Sequence, residues 1–411
     1  MRGFSSKAIH GAPTLKKDPN GSLRAPVYDT AAFEIGSSHD LELAFEGKKP
    51  SHTYSRISNP TVEEFEQKIR LITDAFGVVA VSSGMAAIAE ITIALTEAGS
   101  NIITTPFLFG NTLSLFEKTL KRWGLEVRYA NMANPSYIDA QIDEKTAFIF
   151  LEAITNPQLE IADIAEIVRI ADKHNIPVVL DGTLTTPYLF HSKKAGIAVE
   201  ILSSTKYISG GATSIGGLII DNGTFDWRKN SSMEKEALKA GPGALIMRLR
   251  REINRNLGSC LSPHNAWLQS LGLETLALRI NQSGSNAFKI AQSLNEHKKV
   301  SNVNYPGLPS SPFHEIAKKQ FGNKFGGILT FELKDKQECF HFMDSLAMIK
   351  RATNINDNKT LIIHPASTIF ADHSSADRER MCVNDRMIRL SSGIEDVEDI
   401  IEDIEQGLEK L

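Results

Sequence analysis

The sequence predicts an α/β fold, in which a large domain contains a mostly parallel, seven-stranded sheet and a smaller α/β domain follows it. Between about residues 74 and 220, short apolar runs of strand character alternate with helical patterns. Strands separated by helices favour a parallel sheet covered on both faces, because each connection crosses back over the sheet. Towards the C-terminus, helical patterns alternate with short apolar runs, which indicates the second unit.

The predicted strands of the large sheet are short and apolar, as buried strands are. They are Val78–Ser82, Asn101–Thr105, Glu126–Ala130, Thr146–Leu151, Pro177–Asp181, Glu200–Ser204 and Gly216–Asp221. The predicted helices between them are Met85–Glu97, Thr112–Trp123, Ile161–His174 and Pro187–Lys194.

The two ends of the chain differ from this central part. Residues 1–55 alternate turn formers with short apolar pieces, so we predict an arm that packs on another surface. A charged connector over 222–258 precedes a long helical segment, broken near Gly272, that leads into the smaller domain. We therefore expect an arm over 1–55, a large domain over 56–250 and a small domain over 251–411.

Composition excludes several classes of function. The net charge of −4 over 411 residues gives no basis for nucleic-acid binding. The three cysteines are widely spaced, without metal-ligand spacing, and are expected to be reduced thiols. No signal core or membrane-length apolar run is present, so we expect a cytoplasmic protein with no bound metal and no membrane partner.

The motif SSTKYISGG places one lysine, Lys206, just after an apolar run. Burying an ammonium group costs several kcal/mol unless it is paired or neutralised, and a covalent bond to an aldehyde neutralises it. The hydroxyls of Ser203 and Thr205 suit phosphate oxygens, and the glycines allow close backbone approach. STKY alone more often marks a solvated lysine in a turn, so the interpretation depends on other parts of the chain.

Two further stretches supply those parts. Asp181 follows a buried run at the point where ligands bind in open parallel sheets, and its carboxylate would keep a pyridine nitrogen protonated. Ser83 is placed to cap a helix whose first N–H groups, on Gly84 and Met85, would form an anion site. An SSG joint alone is usually only a turn. Together, the three stretches indicate a pyridoxal 5′-phosphate site.

Several motifs in combination resemble one family over nearly the whole chain. SSTKYISGG, LDGTLTTP, SSGMAA, YSRISNPT, LSPHNAWLQSLGLETLALR and RLSSGIED together resemble the Cys/Met-metabolism family of pyridoxal phosphate-dependent enzymes. The resemblance implies a fold type I transferase. GGATSIGGLIIDNGTFDW and HPAST are most similar to the O-acetylhomoserine sulfhydrylase branch.

The resemblance also implies roles that single residues do not reveal. Phe109 would stack on the pyridine ring, where many members have a tyrosine whose phenol is lost here. Asn156 would contact the ring hydroxyl, and Arg389 would bind the substrate α-carboxylate through a bidentate fork. Tyr54 and Arg56 would reach the cofactor phosphate of a neighbouring subunit, with Tyr54 also near substrate. Without the resemblance, these residues read as turn, packing or surface positions.

The resemblance implies replacement of the acetoxy group of O-acetylhomoserine by sulfur, giving homocysteine and acetate in methionine biosynthesis. It also implies a tetramer built from dimers with shared active sites. Alternatives of the same chemistry are cystathionine γ-synthase, cystathionine γ-lyase and methionine γ-lyase. Asn111 replaces a cysteine of methionine γ-lyases, which argues against that lyase, whereas Gly182 and Ala212 depart from the common pattern without affecting the core chemistry. A non-catalytic scaffold is disfavoured because Lys206 and the other implied site residues are all present.

Overall fold

The computed structural model describes residues 3–11 and 20–411. Residues 1–2 and 12–19 of the predicted arm lie outside the described residues. Within the described residues the chain forms a seven-stranded sheet, here called the large sheet, and a five-stranded small sheet. No helix in these same ranges is both long and apolar enough to span a membrane.

The strand order of the large sheet is β1-β7-β6-β5-β4-β2-β3. Adjacent strands are parallel from β6 to β3, whereas β7 runs antiparallel to both of its neighbours. The mostly parallel sheet is thus confirmed, and every predicted strand lies within two residues of the observed one. The strands are β1 Gly77–Val81, β2 Asn101–Thr104, β3 Glu126–Tyr129, β4 Thr146–Glu152, β5 Val178–Asp181, β6 Val199–Leu202 and β7 Gly217–Asp221.

The small sheet is largely antiparallel, in the order β10-β11-β12-β9-β8. Its central strand β12 pairs antiparallel with both β11 and β9, which buries it on both edges. The strands are β8 Asn302–Asn304, β9 Ile328–Glu332, β10 Lys350–Arg351, β11 Leu361–Ile363 and β12 Met387–Ser391.

Helices cover both sheets and fill the connections. They are α1 Phe4–His10, α2 Ser38–Phe45, α3 Pro60–Thr73, α4 Gly84–Leu95, α5 Gly110–Ser114, α6 Ser136–Asp139, α7 Ile164–Lys173, α8 Thr186–Leu189, α9 Glu234–Ala240, α10 Ala244–Arg248, α11 Asn254–Leu257, α12 Pro263–Glu274, α13 Leu276–Glu296, α14 His314–Phe321, α15 Lys336–Ser345, α16 Ser375–Arg380 and α17 Val397–Glu409. A π-helical stretch over Leu115–Thr119 continues α5, and another over Leu249–Ile253 joins α10 to α11.

The predicted connector over 222–258 is wrong in its structure, because it contains α9, α10 and α11. Leu245, Leu249 and Ile253, spaced four residues apart, are buried in the apolar core under the large sheet. This spacing puts an apolar stripe on one helical face, and the surrounding charges and glycines obscure it in the sequence. The helical break predicted near Gly272 lies at Thr275 instead, between α12 and α13.

Separate apolar clusters hold the layers together. One cluster lies on the face of the large sheet that α4 covers. A second cluster lies on the opposite face and includes Phe65 and Ile69 of α3 and Leu273 of α12. The small sheet packs on α13, α15 and α17. The predicted boundary between residues 250 and 251 assigns α12 to the small domain. However, α12 packs on α3, which belongs to the predicted large domain. The domain bounds stay a prediction.

Candidate active site

Parallel strands deliver the candidate site residues to one edge of the large sheet. β4 ends at Glu152, β5 ends at Asp181, and β6 ends at Leu202. The stretch 203–216 between β6 and β7, which contains Lys206, is called the lysine loop here. Glu152 pairs with Asp181 in the sheet register, and Asp181 in turn pairs with Ile201. The carboxyl ends of parallel strands are where ligands bind in open α/β sheets.

Lys206 lies in the turn after β6, with its ammonium directed at a small-domain residue. Its Nζ donates a hydrogen bond of 2.7 Å to Oδ1 of Asn354. Burial and the Arg389 guanidinium lower the pKa of Lys206 to about 8, although the Asp357 carboxylate opposes that shift. A lysine held near the point of deprotonation provides the neutral amine that attacks an aldehyde.

Arg389 is a buried cation on β12, with only 2% of its surface exposed. Its Nη1 donates to Oδ1 of Asn156 at 3.1 Å and its Nη2 to the carbonyl of Asn354 at 3.2 Å, while its buried Nε has no partner. Burial lowers the pKa of Arg389 to about 9. A buried guanidinium without a carboxylate is costly, so this site favours an anionic ligand group such as a carboxylate.

A buried acid, Glu152, a half-buried acid, Asp181, and an aromatic loop lie at the carboxyl edge of β4 and β5. Burial raises the pKa of Asp181, whose Oδ1 accepts a hydrogen bond of 2.9 Å from the Thr183 N–H. A protonated pyridine nitrogen would reverse that shift, because an opposite charge favours the carboxylate. Glu152 accepts the Phe109 N–H at 2.6 Å, so the loop before α5 is fixed to the end of β4.

The first turn of α4 lies against the lysine loop. Ser83 caps the helix as predicted, its Oγ accepting the Ala86 N–H at 3.0 Å. A Cβ on Gly84 would lie 2.7 Å from Cβ of Ser203, so only glycine allows the helix to approach this loop. Met85 follows Gly84 in the same turn, and together they present N–H groups where the helix dipole favours an anion.

The rest of the lysine loop is closed by its own contacts. The Thr205 hydroxyl donates to the Gly216 carbonyl at 3.1 Å and accepts the Gly216 N–H at 3.0 Å. Gly210 has φ +80, and a Cβ there would lie 2.8 Å from Cα of Gly272 on α12. The loop therefore rests directly on the backbone of α12, at a crossing of two glycines.

Tyr54, in the arm, and Arg56, directly after it, contact each other rather than Lys206 or Asp181. The Arg56 guanidinium lies 5.3 Å from the Tyr54 ring centre, and Nη1 donates to the Arg255 carbonyl at 2.6 Å. Among the described residues, neither forms a hydrogen bond to Lys206 or Asp181. Tyr54 is 41% exposed.

Sequence reasoning missed three residues of this site. Asn354 and Asp357 lie on a loop of the small domain, where Asn354 Nδ2 donates to Asp357 at 3.2 Å. No local pattern distinguishes that polar loop from a surface turn. Glu152 was detectable, since it follows the apolar run Thr146–Leu151 just as Asp181 follows its own strand.

The residues present fit an aldehyde cofactor that carries a phosphate. Lys206, with its lowered pKa, suits the aldehyde, the close approach at Gly84 suits the phosphate, and the half-buried acid Asp181 suits the pyridine nitrogen. This fold and site define the class of pyridoxal phosphate-dependent enzymes. The chain belongs to the family described as "Cys/Met metabolism PLP-dependent enzyme", whose family model matches residues 5–409.

Individual relatives agree with this assignment. The O-acetyl-L-homoserine sulfhydrylase of Corynebacterium glutamicum is 34% identical, covering 98% of this chain and 96% of the relative. A crystal structure of a putative O-acetylhomoserine (thiol)-lyase from Campylobacter jejuni matches with a TM-score of 0.94 and 33% identity, over 99% of this chain and 100% of that one. That protein carries N′-pyridoxyl-lysine-5′-monophosphate at position 205 of its own chain. The O-acetylhomoserine sulfhydrylase of Wolinella succinogenes matches with a TM-score of 0.79 and 42% identity, over 99% and 100%.

Proposed function

We propose that this enzyme replaces the acetoxy group of O-acetylhomoserine by sulfur and releases homocysteine and acetate. One observation carries the amino-acid part of this proposal: Asn354 bonds to both Lys206 and Arg389. An α-amino acid whose carboxylate binds Arg389 would therefore hold its α carbon close to the lysine. The names of the full-length relatives support the sulfhydrylase reaction.

Each residue of the cluster would make a distinct contribution. The bound cofactor supplies an electron sink for the reacting carbon atoms. Lys206, with its lowered pKa, removes the α proton and returns protons to neighbouring carbons as a general base and acid. Arg389 orients the α-carboxylate, and Asp181 keeps the pyridine nitrogen protonated. Phe109 provides an apolar wall beside the ring.

The cofactor contacts follow from the same placement. The first turn of α4, at Gly84 and Met85, faces the loop that carries Ser203. We assign the phosphate to this junction, because helix N–H groups and a serine hydroxyl both donate to phosphate oxygens. Asn156, whose Oδ1 already accepts from Arg389, is assigned to the ring hydroxyl.

Two subunits would share each site. Part of the arm exposes large apolar side chains, among them Leu23 and Phe45, which need a partner surface. Within the described residues, Tyr54 of this arm and Arg56 directly after it form no hydrogen bond to Lys206 or Asp181 of their own chain. We assign them to the phosphate of a neighbouring subunit, in a homo-oligomer of closed symmetry with a dimer as its unit.

The activity is tested by steady-state kinetics on the purified, cofactor-loaded protein. O-acetylhomoserine and O-succinylhomoserine are each paired with sulfide, cysteine and methanethiol as acceptors. We expect homocysteine and acetate from the acetyl ester with sulfide at the highest kcat/KM. Preferred formation of cystathionine from cysteine, or elimination without any acceptor, would contradict the proposal.

A further inference from the structure

Glu152 is a buried acid beside the site to which neither the sequence nor the proposed reaction assigns a function. It ends β4 and is 7% exposed. Its sheet partner is Asp181, and strand alternation places both carboxylates on the α4 face, the face of Phe150 and Val179. Two carboxylates therefore lie next to each other at the edge where the cofactor ring binds.

The contacts of Glu152 reach two loops of the site. Its Oε1 accepts the Phe109 N–H at 2.6 Å, and the backbone N–H of Asn156 also acts to lower the pKa of this carboxyl group. Phe109 is the residue assigned to the ring face, and the Asn156 side chain accepts from Arg389. One carboxyl group thus joins the aromatic wall to the loop beside the carboxylate-binding arginine.

The pair cannot carry two charges without a cost, because neighbouring carboxylates repel, and Glu152 is buried while Asp181 is half-buried, so both lose hydration. Burial and the Asp181 carboxylate raise the pKa of Glu152 well above its usual range. Among the described residues neither acid forms an ion pair, and the cations Lys206 and Arg389 are hydrogen-bonded to Asn354 and Asn156 instead. The acid that must be ionised to pair with a pyridine nitrogen is Asp181, which leaves the proton on Glu152.

We propose that Glu152 is a positioning residue that stays uncharged, holds Phe109 over the cofactor ring through its acceptor oxygen, and leaves Asp181 as the ionised member of the pair. The inference rests on the proposed cofactor site, and not on which acceptor or acyl ester the enzyme uses. It predicts that a neutral acceptor of the same length replaces Glu152 better than a shorter carboxylate does.

The test compares Glu152→Gln, Glu152→Asp and Glu152→Ala. The glutamine keeps the acceptor oxygen at the same reach, whereas the aspartate keeps a carboxylate one methylene too short for the Phe109 N–H. Glu90→Gln is the matched control, because Glu90 is a fully buried acid of raised pKa that bonds to Asn254 and Ser259. Readouts are kcat and KM, the cofactor dissociation constant, the visible circular dichroism of the bound cofactor, and the melting temperature of the cofactor-free protein.

We expect Glu152→Gln to retain kcat within about threefold and to preserve the circular dichroism band. Glu152→Asp and Glu152→Ala should lose about tenfold or more in kcat, with a weakened band and a smaller change in KM. The inference would be overturned if Glu152→Gln and Glu152→Ala lost kcat equally while Glu152→Asp kept a near-normal kcat. An unchanged band in every variant would also overturn it. Cofactor affinity and circular dichroism are measured without substrate, so failure here is distinguishable from a wrong assignment of the reaction.

Discussion

The hydrogen bond and the lowered pKa of Lys206 depend on residues far away in the sequence. The sequence predicted its strand-end placement, but the acceptor on Asn354 and the neighbouring charge on Arg389 come from the small domain. Long-range pairing of this kind leaves no local pattern, so reasoning from the residues alone found the lysine and not its partner. Asp181 was predictable because a carboxylate directly after an apolar strand is a local signal.

Lys206→Ala should lower turnover by about 10²- to 10⁴-fold or more, since the general base and acid is removed. With the lysine intact, attachment of the cofactor to the cofactor-free protein should quicken as pH rises towards about 8 and level off above it. The reason is that only the neutral amine attacks, and the pKa of Lys206 is lowered to about 8. Stopped-flow absorbance measures that rate. Reductive labelling of a different lysine by borohydride would show that the assignment is wrong.

Asp181→Ala should weaken cofactor binding and slow α-proton removal, because an unprotonated pyridine ring accepts electrons poorly. Solvent-proton exchange at the α carbon of a bound amino acid measures this step directly. The matched control is Asp226→Asn, which removes an exposed acid whose partner is Arg228. Near-normal exchange in the Asp181 variant would contradict its role.

At the scale of elements, the sequence predicted the strands better than the helices between them. Most of the strands were found because they are apolar runs bounded by polar residues, whereas β3, with the sequence EVRY, is partly exposed. The helix predicted over Ile161–His174 begins instead at Ile164, since Asp163 caps it by accepting the Glu166 N–H. The predicted helix Pro187–Lys194 is divided into α8 and a 3₁₀ turn over Ser192–Ala195, with Phe190 and His191 between them.

The junction of α4 with the lysine loop gives a prediction at this scale. Gly84→Ala places a Cβ 2.7 Å from that of Ser203, so the helix must move away from the proposed phosphate position. We expect cofactor affinity to fall by about tenfold or more, measured by fluorescence titration. Gly36→Ala is the matched control, since nothing lies near its added Cβ. An equal effect of both substitutions would mean that this junction does not hold the phosphate.

At the scale of the whole molecule, the buried acids make stability depend on pH. Burial, together with the Asp181 carboxylate, raises the pKa of Glu200 to about 8. A raised pKa in the folded state contributes stability that is present below about pH 4.5 and is lost as pH rises through 8. Glu200→Gln removes that titration.

The melting temperature of Glu200→Gln should therefore rise relative to wild type between pH 5 and pH 9. The corresponding change in the free energy of unfolding is at most about 3–5 kcal/mol. Each tenfold change in proton affinity between the folded and unfolded states changes this free energy by about 1.4 kcal/mol. Differential scanning fluorimetry across this range measures the effect, with the exposed substitution Glu144→Gln as control. A constant difference between variant and wild type would show that Glu200 does not titrate in this range.

The shared site gives a second prediction at this scale. Arg56→Ala and Lys206→Ala, each inactive alone, are refolded together in equal amounts. A mixed dimer then holds one site with both lesions and one with neither, and about half of the dimers are mixed, so roughly a quarter of wild-type activity should return. If mixed dimers form without any activity, Arg56 acts within its own subunit or only through stability.

The crossing of Gly210 with Gly272 joins positions that are far apart in sequence. A side chain on either would push the lysine loop off α12, and a Cβ on Gly272 would clash with the carbonyl of Ile208. An added Cβ at either position would therefore separate the same two segments. In a library of random variants, the two should show the same intolerance, although neither touches a reacting atom.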